Sequence, residues 1–306
     1  MTVSIVTDSS CRLPASVRER YRIRQAPLHL LRGDEDLLED VDVIGPDVYD
    51  DPATTTAGSS PDELREQFEA ALEDSGSDGV VAILMSRRLS GTWSAARLVA
   101  DHYPDRVRVV DSRAVGLGLG FAAIAAAQAA QAGADRDGVY EEAIRASSTG
   151  HSLITLQTLD NLRSGGRISA ATRLFGSALS IKPVLTLVDG MLVVKERQRT
   201  FSKALERMLT DAAEEVEDTE VVLGVQHCGV ADVADAVAED MRSRLQAVGS
   251  VVVTDLGPVL SRHVGQGAVS VVTCEGIAPI EGIETSRPAG GELSTDSDRS
   301  TEAERG

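Results

Sequence analysis

The sequence predicts an α/β protein in two parts: a Rossmann-like parallel α/β domain at residues 1–150 and an α+β domain with a mixed or antiparallel sheet at residues 151–280. In the first half, apolar runs of strand length alternate with helical patterns, which is typical of β-α-β units. In the second half, Asp189-Gly190 between two apolar runs indicates an antiparallel hairpin. The length of 306 residues is sufficient for two domains.

The first domain begins with a predicted strand at Val3–Thr7 and a short helix that starts near Pro14. A helix after Ser60 has a stronger local signal, because Ser60-Pro61-Asp62-Glu63 has the form of a capping box and precedes apolar residues at helical spacing. The next predicted elements are a strand at Val80–Met85, a helix at Thr92–His102, a strand at Val107–Val110 and a helix of small residues from about Gly118.

The second domain is predicted to contain more strands in hairpin and mixed arrangement. Its predicted elements are a strand at Ser152–Leu156, a turn-rich bridge at 161–168, a helix near Ala170–Leu179, hairpin strands at Pro183–Val188 and Met191–Lys195, helices at Ser202–Val216 and Val230–Val248, and strands at Glu220–Gln226, Val251–Asp255 and Ala268–Thr273. Residues 281–306 contain seven acids and three arginines with almost nothing apolar, which predicts a disordered acidic tail.

Composition excludes several classes of partner. The 30 basic residues against 48 acidic ones give a net charge of −18, so neither nucleic acid nor an anionic membrane surface is expected to bind. The 3 cysteines are widely separated, which fits a reducing cytoplasm and no metal site. Ala114–Ala134 is uncharged, but 10 of its residues are Ala and four are Gly, so it predicts a buried helix and no integral membrane segment.

Hydroxyl side chains follow three predicted strands of the first domain. Thr7-Asp8-Ser9-Ser10, Ser86 with Ser90-Gly91-Thr92, and Asp111-Ser112 stand at these strand ends. Because the carboxyl ends of parallel strands form the ligand-binding edge of such sheets, we expect these hydroxyls near one site. Ser90-Gly91-Thr92 at a helix start has the form of a cradle for a small anion. The alternative is that the hydroxyls only cap helices.

Two residues of the second domain are further candidates. His263 is predicted in a glycine-flanked loop before a strand, where it is either functional or structural. Arg167 follows Gly165-Gly166, and its planar guanidinium suits a carboxylate or a phosphate, although an arginine on a solvated turn has the same spacing. The sequence contains no phosphate-binding or dinucleotide-binding glycine motif, so no cofactor is predicted.

Taken together, these segments resemble the DegV family, the fatty-acid-binding subunits of bacterial fatty acid kinase. The resemblance covers about residues 1–275. The matching segments are Thr7-Asp8-Ser9-Ser10, Thr56, Ser60-Pro61, Leu89-Ser90-Gly91-Thr92, Val110-Asp111-Ser112, Leu162-Arg163-Ser164-Gly165-Gly166-Arg167-Ile168-Ser169, Ile181-Lys182-Pro183-Val184, Asp189-Gly190 and His263-Val264-Gly265-Gln266-Gly267.

The resemblance implies a DegV-like fold in which a long-chain fatty acid is buried between two domains. The family residues that hold the carboxylate match Thr56, Ser90 and His263. The family arginine near the ligand entrance and the kinase contact matches Arg167, and Gly91, Thr92 and Ser9 are secondary contacts. The resemblance also implies that a separate ATP-dependent kinase phosphorylates the carboxylate and that the acyl phosphate passes to phospholipid synthesis. We also expect the small residues of the helix after Gly118 to leave space for the acyl chain.

The sequence leaves three points open. The family reads Thr-Ser-Gln-Pro-Ser-Pro where this chain has Thr56-Ala57-Gly58-Ser59-Ser60-Pro61, so Thr54, Thr55 and Thr56 are all candidates, and Thr56 is our choice. Gln266 also replaces a common proline beside His263. The alternative function is a serine-dependent esterase or acyltransferase that uses Ser90 with His263.

Overall fold

The computed structural model describes residues 2–168, 181–216 and 219–283. The helix predicted near Ala170–Leu179 and residues 284–306 of the predicted tail lie outside this described part of the chain.

Helices and strands alternate through much of the chain. The strands are β1 (Ser4–Asp8), β2 (Ile23–Ala26), β3 (His29–Arg32), β4 (Glu35–Leu38), β5 (Thr55–Ala57), β6 (Val80–Leu84), β7 (Val107–Asp111), β8 (Gly150–Thr155), β9 (Lys182–Val188), β10 (Met191–Gln198), β11 (Val221–His227), β12 (Val248–Asp255) and β13 (Val269–Glu275). The helices are α1 (Ala15–Tyr21), α2 (Pro46–Tyr49), α3 (Pro61–Ser75), α4 (Thr92–Ala100), α5 (Leu117–Gln131), α6 (Arg136–Thr149), α7 (Asp160–Ser164), α8 (Phe201–Glu214), α9 (Ala231–Arg244) and α10 (Gly257–Val264).

The strands of the described residues form three sheets. A parallel sheet has the order β2-β1-β6-β7, and a six-stranded mixed sheet has the order β10-β9-β8-β13-β11-β12, in which β11 and β12 are parallel. A small antiparallel sheet has the order β4-β3-β5. The predicted fold class, a parallel α/β part followed by an α+β part with a mixed sheet, is therefore confirmed.

Strong local signals in the sequence correspond to observed structure. Ser60 Oγ accepts a hydrogen bond from the Glu63 amide, and the Ser60 amide donates to the Glu63 carboxylate, which completes the capping box of α3. Asp189 and Gly190 both have positive φ in the turn between β9 and β10. Strands β2 to β5 and helices α2, α6, α7 and α10 were not predicted from the sequence. The four strands have only three or four residues each, too few for a clear alternating pattern.

Helix α5 lies between the parallel sheet and the mixed sheet, and residues 117–127 are all buried. Its small residues permit this close packing on both sides. A Cβ atom on Gly120 would lie 2.6 Å from the carbonyl oxygen of Cys11, and one on Gly118 would lie 3.0 Å from Ser152 Oγ. None of the helices in the described part of the chain has the length and apolar character needed to span a membrane.

We expect Gly120→Ala to lower the free energy of unfolding by about 1–3 kcal/mol, because backbone of the 3₁₀ turn at Ser9–Cys11 occupies the position of the new methyl group. This loss would occur although alanine favours a helix by about 1 kcal/mol. Gly138→Ala in α6 is the matched control, since its Cβ would meet no atom closer than 3.4 Å, and we expect it to be neutral or stabilising. Urea unfolding measures both changes; equal effects would contradict the packing argument.

Candidate functional site

A cavity lies between the mixed sheet, α10 and the loops of the N-terminal part of the chain. It encloses about 870 Å³ of space free of protein atoms, its open mouth included. Most of its wall is apolar. The apolar lining residues are Leu28, Ala57, Met85, Leu89, Val115, Leu153, Ile154, Leu162, Leu187, Leu192, Leu256, Val259, Leu260 and Val264.

Four of the polar residues that line this cavity were candidates from the sequence. Thr56 lies on β5, Ser90 lies just before α4, Arg167 follows α7 and His263 lies on α10. Thr56 Oγ1 and His263 Nε2 are joined by a hydrogen bond of 2.9 Å. Residues from four distant segments therefore meet at one cavity wall.

The three candidate threonines before α3 occupy different positions. Thr56 is half-buried and lines the cavity, whereas Thr55 is exposed. Thr54 is fully buried and does not line the cavity. Among these three hydroxyls, only that of Thr56 is positioned to meet a ligand in the cavity.

The hydroxyl of Ser90 is supported by its neighbours. Ser90 Oγ lies 2.9 Å from Thr92 Oγ1 and accepts a hydrogen bond from the Thr92 amide at the start of α4. Gly58 packs against this pair, since a Cβ atom there would lie 2.5 Å from Thr92 Oγ1. Gly91 is exposed and does not line the cavity, and a Cβ atom there would meet no other atom within 4 Å.

His263 lies in the last turn of α10, and the prediction that it stands in a loop is wrong. Pro258 occupies the first turn of this helix, and Gly265, with φ of 80°, ends it directly after Val264. The helix has only eight residues, so it left no clear periodic pattern in the sequence. The helix holds the imidazole in a fixed direction, which a glycine-flanked loop would not.

The imidazole of His263 is neutral near pH 7. Its burial, together with the positive charges of Arg167 and Arg262, lowers the pKa of His263 to about 4. A neutral imidazole has one N–H donor and one acceptor nitrogen, so it can exchange hydrogen bonds with Thr56 and a ligand oxygen. A carboxylate bound beside it would raise the pKa again, because a negative charge favours the imidazolium form.

The turn Gly165-Gly166-Arg167 packs directly against this imidazole. A Cβ atom on Gly165 would lie 2.7 Å from His263 Nδ1, and Gly166 has φ of 71°, a conformation that favours glycine. Arg167 is half-buried, and its guanidinium donates to the backbone carbonyls of Leu89 and Gly165. Two backbone oxygens therefore fix the position of the guanidinium.

Arg262, which the sequence analysis did not single out, connects α10 to the chain segment before β5. Its Nε donates to the carbonyl of Thr54 at 2.7 Å, and its Nη2 donates to the carbonyl of Pro52 at 3.0 Å. Arg262 and His263 are adjacent in sequence and both bind this segment. Together they fix the distance between Thr56 and α10.

Ser9 is buried and does not line the cavity. Its hydroxyl donates to Glu39 at 2.6 Å and accepts from the Leu28 amide at 3.0 Å. Glu39 in turn accepts a hydrogen bond of 3.0 Å from the Val259 amide in the first turn of α10. Ser9 therefore supports the position of α10 from outside the cavity.

Most of the other hydroxyls at the strand ends also have structural partners. Ser10 Oγ donates to Asp8, Ser86 Oγ donates to the carbonyl of Gly190, and Ser112 Oγ bonds to the backbone of Ala114. The alternative that strand-end hydroxyls stabilise local structure thus describes these three residues. Ser90 is the strand-end residue with a hydroxyl at the cavity wall.

The expected role of α5 in making space is wrong. None of the residues of α5 lines the cavity, whereas Val115 and Gly116, directly before the helix, do. The small residues of α5 instead let two sheets pack closely against the helix. The space of the cavity arises beyond the start of α5, between the mixed sheet and α10.

The geometry bears on the alternative of a serine nucleophile. His263 Nε2 is bonded to Thr56, and Ser90 Oγ is bonded to Thr92. A nucleophilic serine is activated by a base within hydrogen-bond reach, and the low pKa of His263 makes it a weak base. His263 and Ser90 are thus bonded to other partners, and a weak base does not favour activation of Ser90.

Comparisons with known proteins agree over nearly the whole chain. The DegV family model matches residues 2–276. A DegV domain-containing protein of Mycobacterium tuberculosis is 46% identical over 279 residues, which cover 91% of this chain and 99% of that protein. A structure of a DegV family protein from Thermus thermophilus with fatty acid binding has a TM-score of 0.84 at 28% identity, covering 90% of this chain and 100% of that one. DegV of Bacillus subtilis, a fatty acid binding protein, has a TM-score of 0.79 at 27% identity, covering 90% and 100%.

The lowered pKa of His263 predicts how stability depends on pH. Between pH 6.5 and 4 the unfolded chain binds a proton at His263 and the folded protein does not, so acidification through this window destabilises the fold. We expect the wild-type protein to lose about 3 kcal/mol more free energy of unfolding than His263→Gln over this range. Below about pH 4 the difference should stay constant. Urea unfolding at stepped pH measures it, and parallel curves for both proteins would contradict the burial of a neutral imidazole.

Proposed function

The chain belongs to the DegV family, and we propose that it binds a long-chain fatty acid in the cavity and presents the carboxylate to a separate ATP-dependent fatty acid kinase in the cytoplasm. In this proposal the protein is a lipid-binding subunit and not itself an enzyme. The kinase forms the acyl phosphate, which then passes to phospholipid synthesis. Fatty acid binding by the proteins from Thermus thermophilus and Bacillus subtilis supports the first step.

The main observation behind this proposal is that one cavity combines an aliphatic wall with a cluster of donors. Burial of an acyl chain contributes about 0.8 kcal/mol per methylene group, so an aliphatic cavity supplies most of the affinity. A buried carboxylate is stable only when hydrogen bonds and positive charges replace its hydration. Thr56, Ser90 and His263 provide donors at the cavity wall, and Arg167 and Arg262 provide charge near His263.

The proposed roles of these residues follow from their contacts. The hydroxyls of Thr56 and Ser90 donate to the carboxylate oxygens, and the imidazole of His263 donates its N–H. Thr92 orients Ser90, since the two hydroxyls are 2.9 Å apart. Arg262 orients the segment that contains Thr56 through two backbone carbonyls.

Arg167 is the residue that we propose to assist transfer to the kinase. It is half-buried at the cavity, and its positive charge acts on His263. A guanidinium in this position suits the phosphoryl group that is added to the carboxylate, because its planar fork matches phosphate oxygens. In this proposal, Arg167 contributes more to phosphorylation than to retention of the lipid.

We expect the purified protein to bind one equivalent of a long-chain fatty acid, and Thr56→Val to weaken binding about tenfold or more. Loss of a hydrogen bond to a charged group costs about 1.5–3 kcal/mol, which accounts for that change. Thr55→Val is the matched control, because Thr55 is the exposed neighbour on the same strand. Titration with a fluorescent fatty acid, and mass spectrometry of solvent extracts, measure binding.

Two outcomes of this experiment would contradict the proposal in different ways. Absence of lipid in the extract together with no uptake of added fatty acid would exclude lipid binding. Equal affinity of Thr56→Val and Thr55→Val for the fatty acid would leave lipid binding intact and exclude the proposed carboxylate contact of Thr56.

We expect Arg167→Ala to reduce the rate of fatty acid phosphorylation by a DegV-partner kinase with ATP, with a much smaller loss of lipid affinity. Arg242→Ala on α9 is the control for general loss of positive charge, because Arg242 pairs with Glu239 on an exposed helix face. The rate of acyl phosphate formation is measured with lipid-saturated protein. An unchanged rate in Arg167→Ala, Ser90→Ala and His263→Ala would refute the proposed role in phosphorylation.

A further inference from the structure

A second polar group lies on the wall of the cavity, on the face of the mixed sheet. Gln226, Ser270 and Ser152 all line the cavity. Gln226 on β11 stands directly opposite Ser270 on β13, and Ser152 on β8 stands opposite Val272, two residues further along β13. Directly opposed residues of antiparallel strands share one face of the sheet. These three side chains, which we call the polar row, therefore lie together among aliphatic neighbours.

The orientation of the Gln226 amide is fixed by the start of α5. The Leu117 amide donates to Gln226 Oε1 at 2.9 Å, so the carbonyl oxygen is the end of the Gln226 amide that is bonded to the start of α5. Gly116, with φ of 65°, permits this contact, since a Cβ atom there would lie 2.4 Å from Gln226 Oε1. The backbone of α5 thus determines that the carbonyl oxygen of the Gln226 amide is paired and that its NH₂ group is not paired by the helix.

The NH₂ group left over in this way is buried and unpaired. Gln226 is 1% exposed, and its Nε2 atom has no hydrogen-bond partner among the described residues. No hydrogen bond from the hydroxyl of Ser152 or Ser270 is seen within this part of the chain either. Buried donors are normally satisfied, so an unpaired amide beside two free hydroxyls in a ligand cavity indicates a partner on the ligand.

We propose that the polar row binds an oxygen atom on the acyl chain, and that the protein prefers fatty acids with a hydroxyl or keto group on the chain to unsubstituted ones. This inference rests on the proposed function of fatty acid binding. An unsubstituted chain would leave the NH₂ group of Gln226 unpaired, whereas a ligand hydroxyl or carbonyl would accept its hydrogen bond. The hydroxyls of Ser152 and Ser270 can donate to the same oxygen or accept from it.

The charges around the cavity distinguish the polar row from the carboxylate cluster. Arg167 and Arg262 act on His263, which places positive charge beside Thr56 and Ser90. The polar row consists of neutral groups on a different element, the mixed sheet. A hydroxyl or keto oxygen on the acyl chain can bond to the neutral groups of the polar row, and the carboxylate of the same ligand can bind beside the charged arginines.

The test compares stearic acid with hydroxystearic acids that bear the hydroxyl near the carboxyl, at mid-chain or near the methyl end. We expect one positional isomer to bind the wild-type protein about threefold to tenfold more tightly than stearic acid, the effect of one or two net hydrogen bonds. Dissociation constants from competition with a fluorescent fatty acid give the ratio. Stearic acid binding as tightly as every isomer would overturn the inference.

Variants assign the preference to the polar row. Ser270→Ala and Ser152→Ala retain the bond between Gln226 and Leu117, and we expect at least one to reduce the preference severalfold with unchanged affinity for stearic acid. Gln226→Met should abolish the preference for the hydroxystearic acid, although this variant also loses the bond between Gln226 and the Leu117 amide of α5. Ile154→Val is the control, an apolar lining residue opposite Ser270. A preference that persists in all three polar-row variants would overturn the assignment.

The two hypotheses fail in different ways. If neither stearic acid nor any hydroxystearic acid binds, the proposed function fails. If all of them bind and the hydroxyl gives no advantage, fatty acid binding stands and the polar row has only the structural role of capping α5.

Discussion

The buried carboxylate of Glu39 connects the two parts of the protein, and the geometry of the cavity depends on this connection. Glu39 follows β4 and accepts hydrogen bonds from Ser9 in the N-terminal part and from Val259 at the start of α10. Burial raises the pKa of Glu39, while the charge of Arg12 and these hydrogen bonds oppose that rise. A buried carboxylate left without its partners is strongly destabilising, so α10 has little freedom to move away. At the other end of the same helix, His263 bonds to Thr56 on β5, and Arg262 bonds to the segment directly before β5.

This arrangement explains how an acidic protein can contain a site for an anion. The net charge is −18, yet the local charges near His263 are those of Arg167 and Arg262. Both guanidinium groups are held by backbone carbonyls, so their positive charge is not cancelled by a carboxylate in these bonds. A neutral His263 adds no third positive charge beside these two half-buried guanidinium groups, and it can acquire charge when an anion binds. The charge of the surface and the charge of the site are therefore set separately.

The sequence predicted those features that depend on neighbouring residues. The capping box at Ser60 and the hairpin turn at Asp189-Gly190 are local, and both formed as predicted. The resemblance to the DegV family selected Thr56, Ser90 and His263, which do line one cavity, although their contact with a carboxylate stays a prediction.

The residues that the sequence analysis missed act over long distances in the chain. Arg262 binds carbonyls more than 200 positions away, and Glu39 binds Val259 across a separation of 220. Gly165 was noted as part of a family motif, but no local pattern indicates that it packs against His263. An arginine in a short helix, a glutamate in a loop and a glycine in a turn are all common in proteins. Only the tertiary structure therefore reveals the roles of these three residues.

Gln226 links the packing of the fold to the chemistry of the cavity wall. Helix α5 begins between two sheets, where its first amides are shielded from water and need acceptors. Gln226 satisfies the amide of Leu117, and its own NH₂ group then has no hydrogen-bond partner among the described residues. An apolar residue at position 226 would make the wall uniformly aliphatic but would leave the Leu117 amide unpaired. The polarity of this part of the cavity is thus a consequence of how the N-terminus of α5 is capped. A wall without Gln226 would need another acceptor for the Leu117 amide.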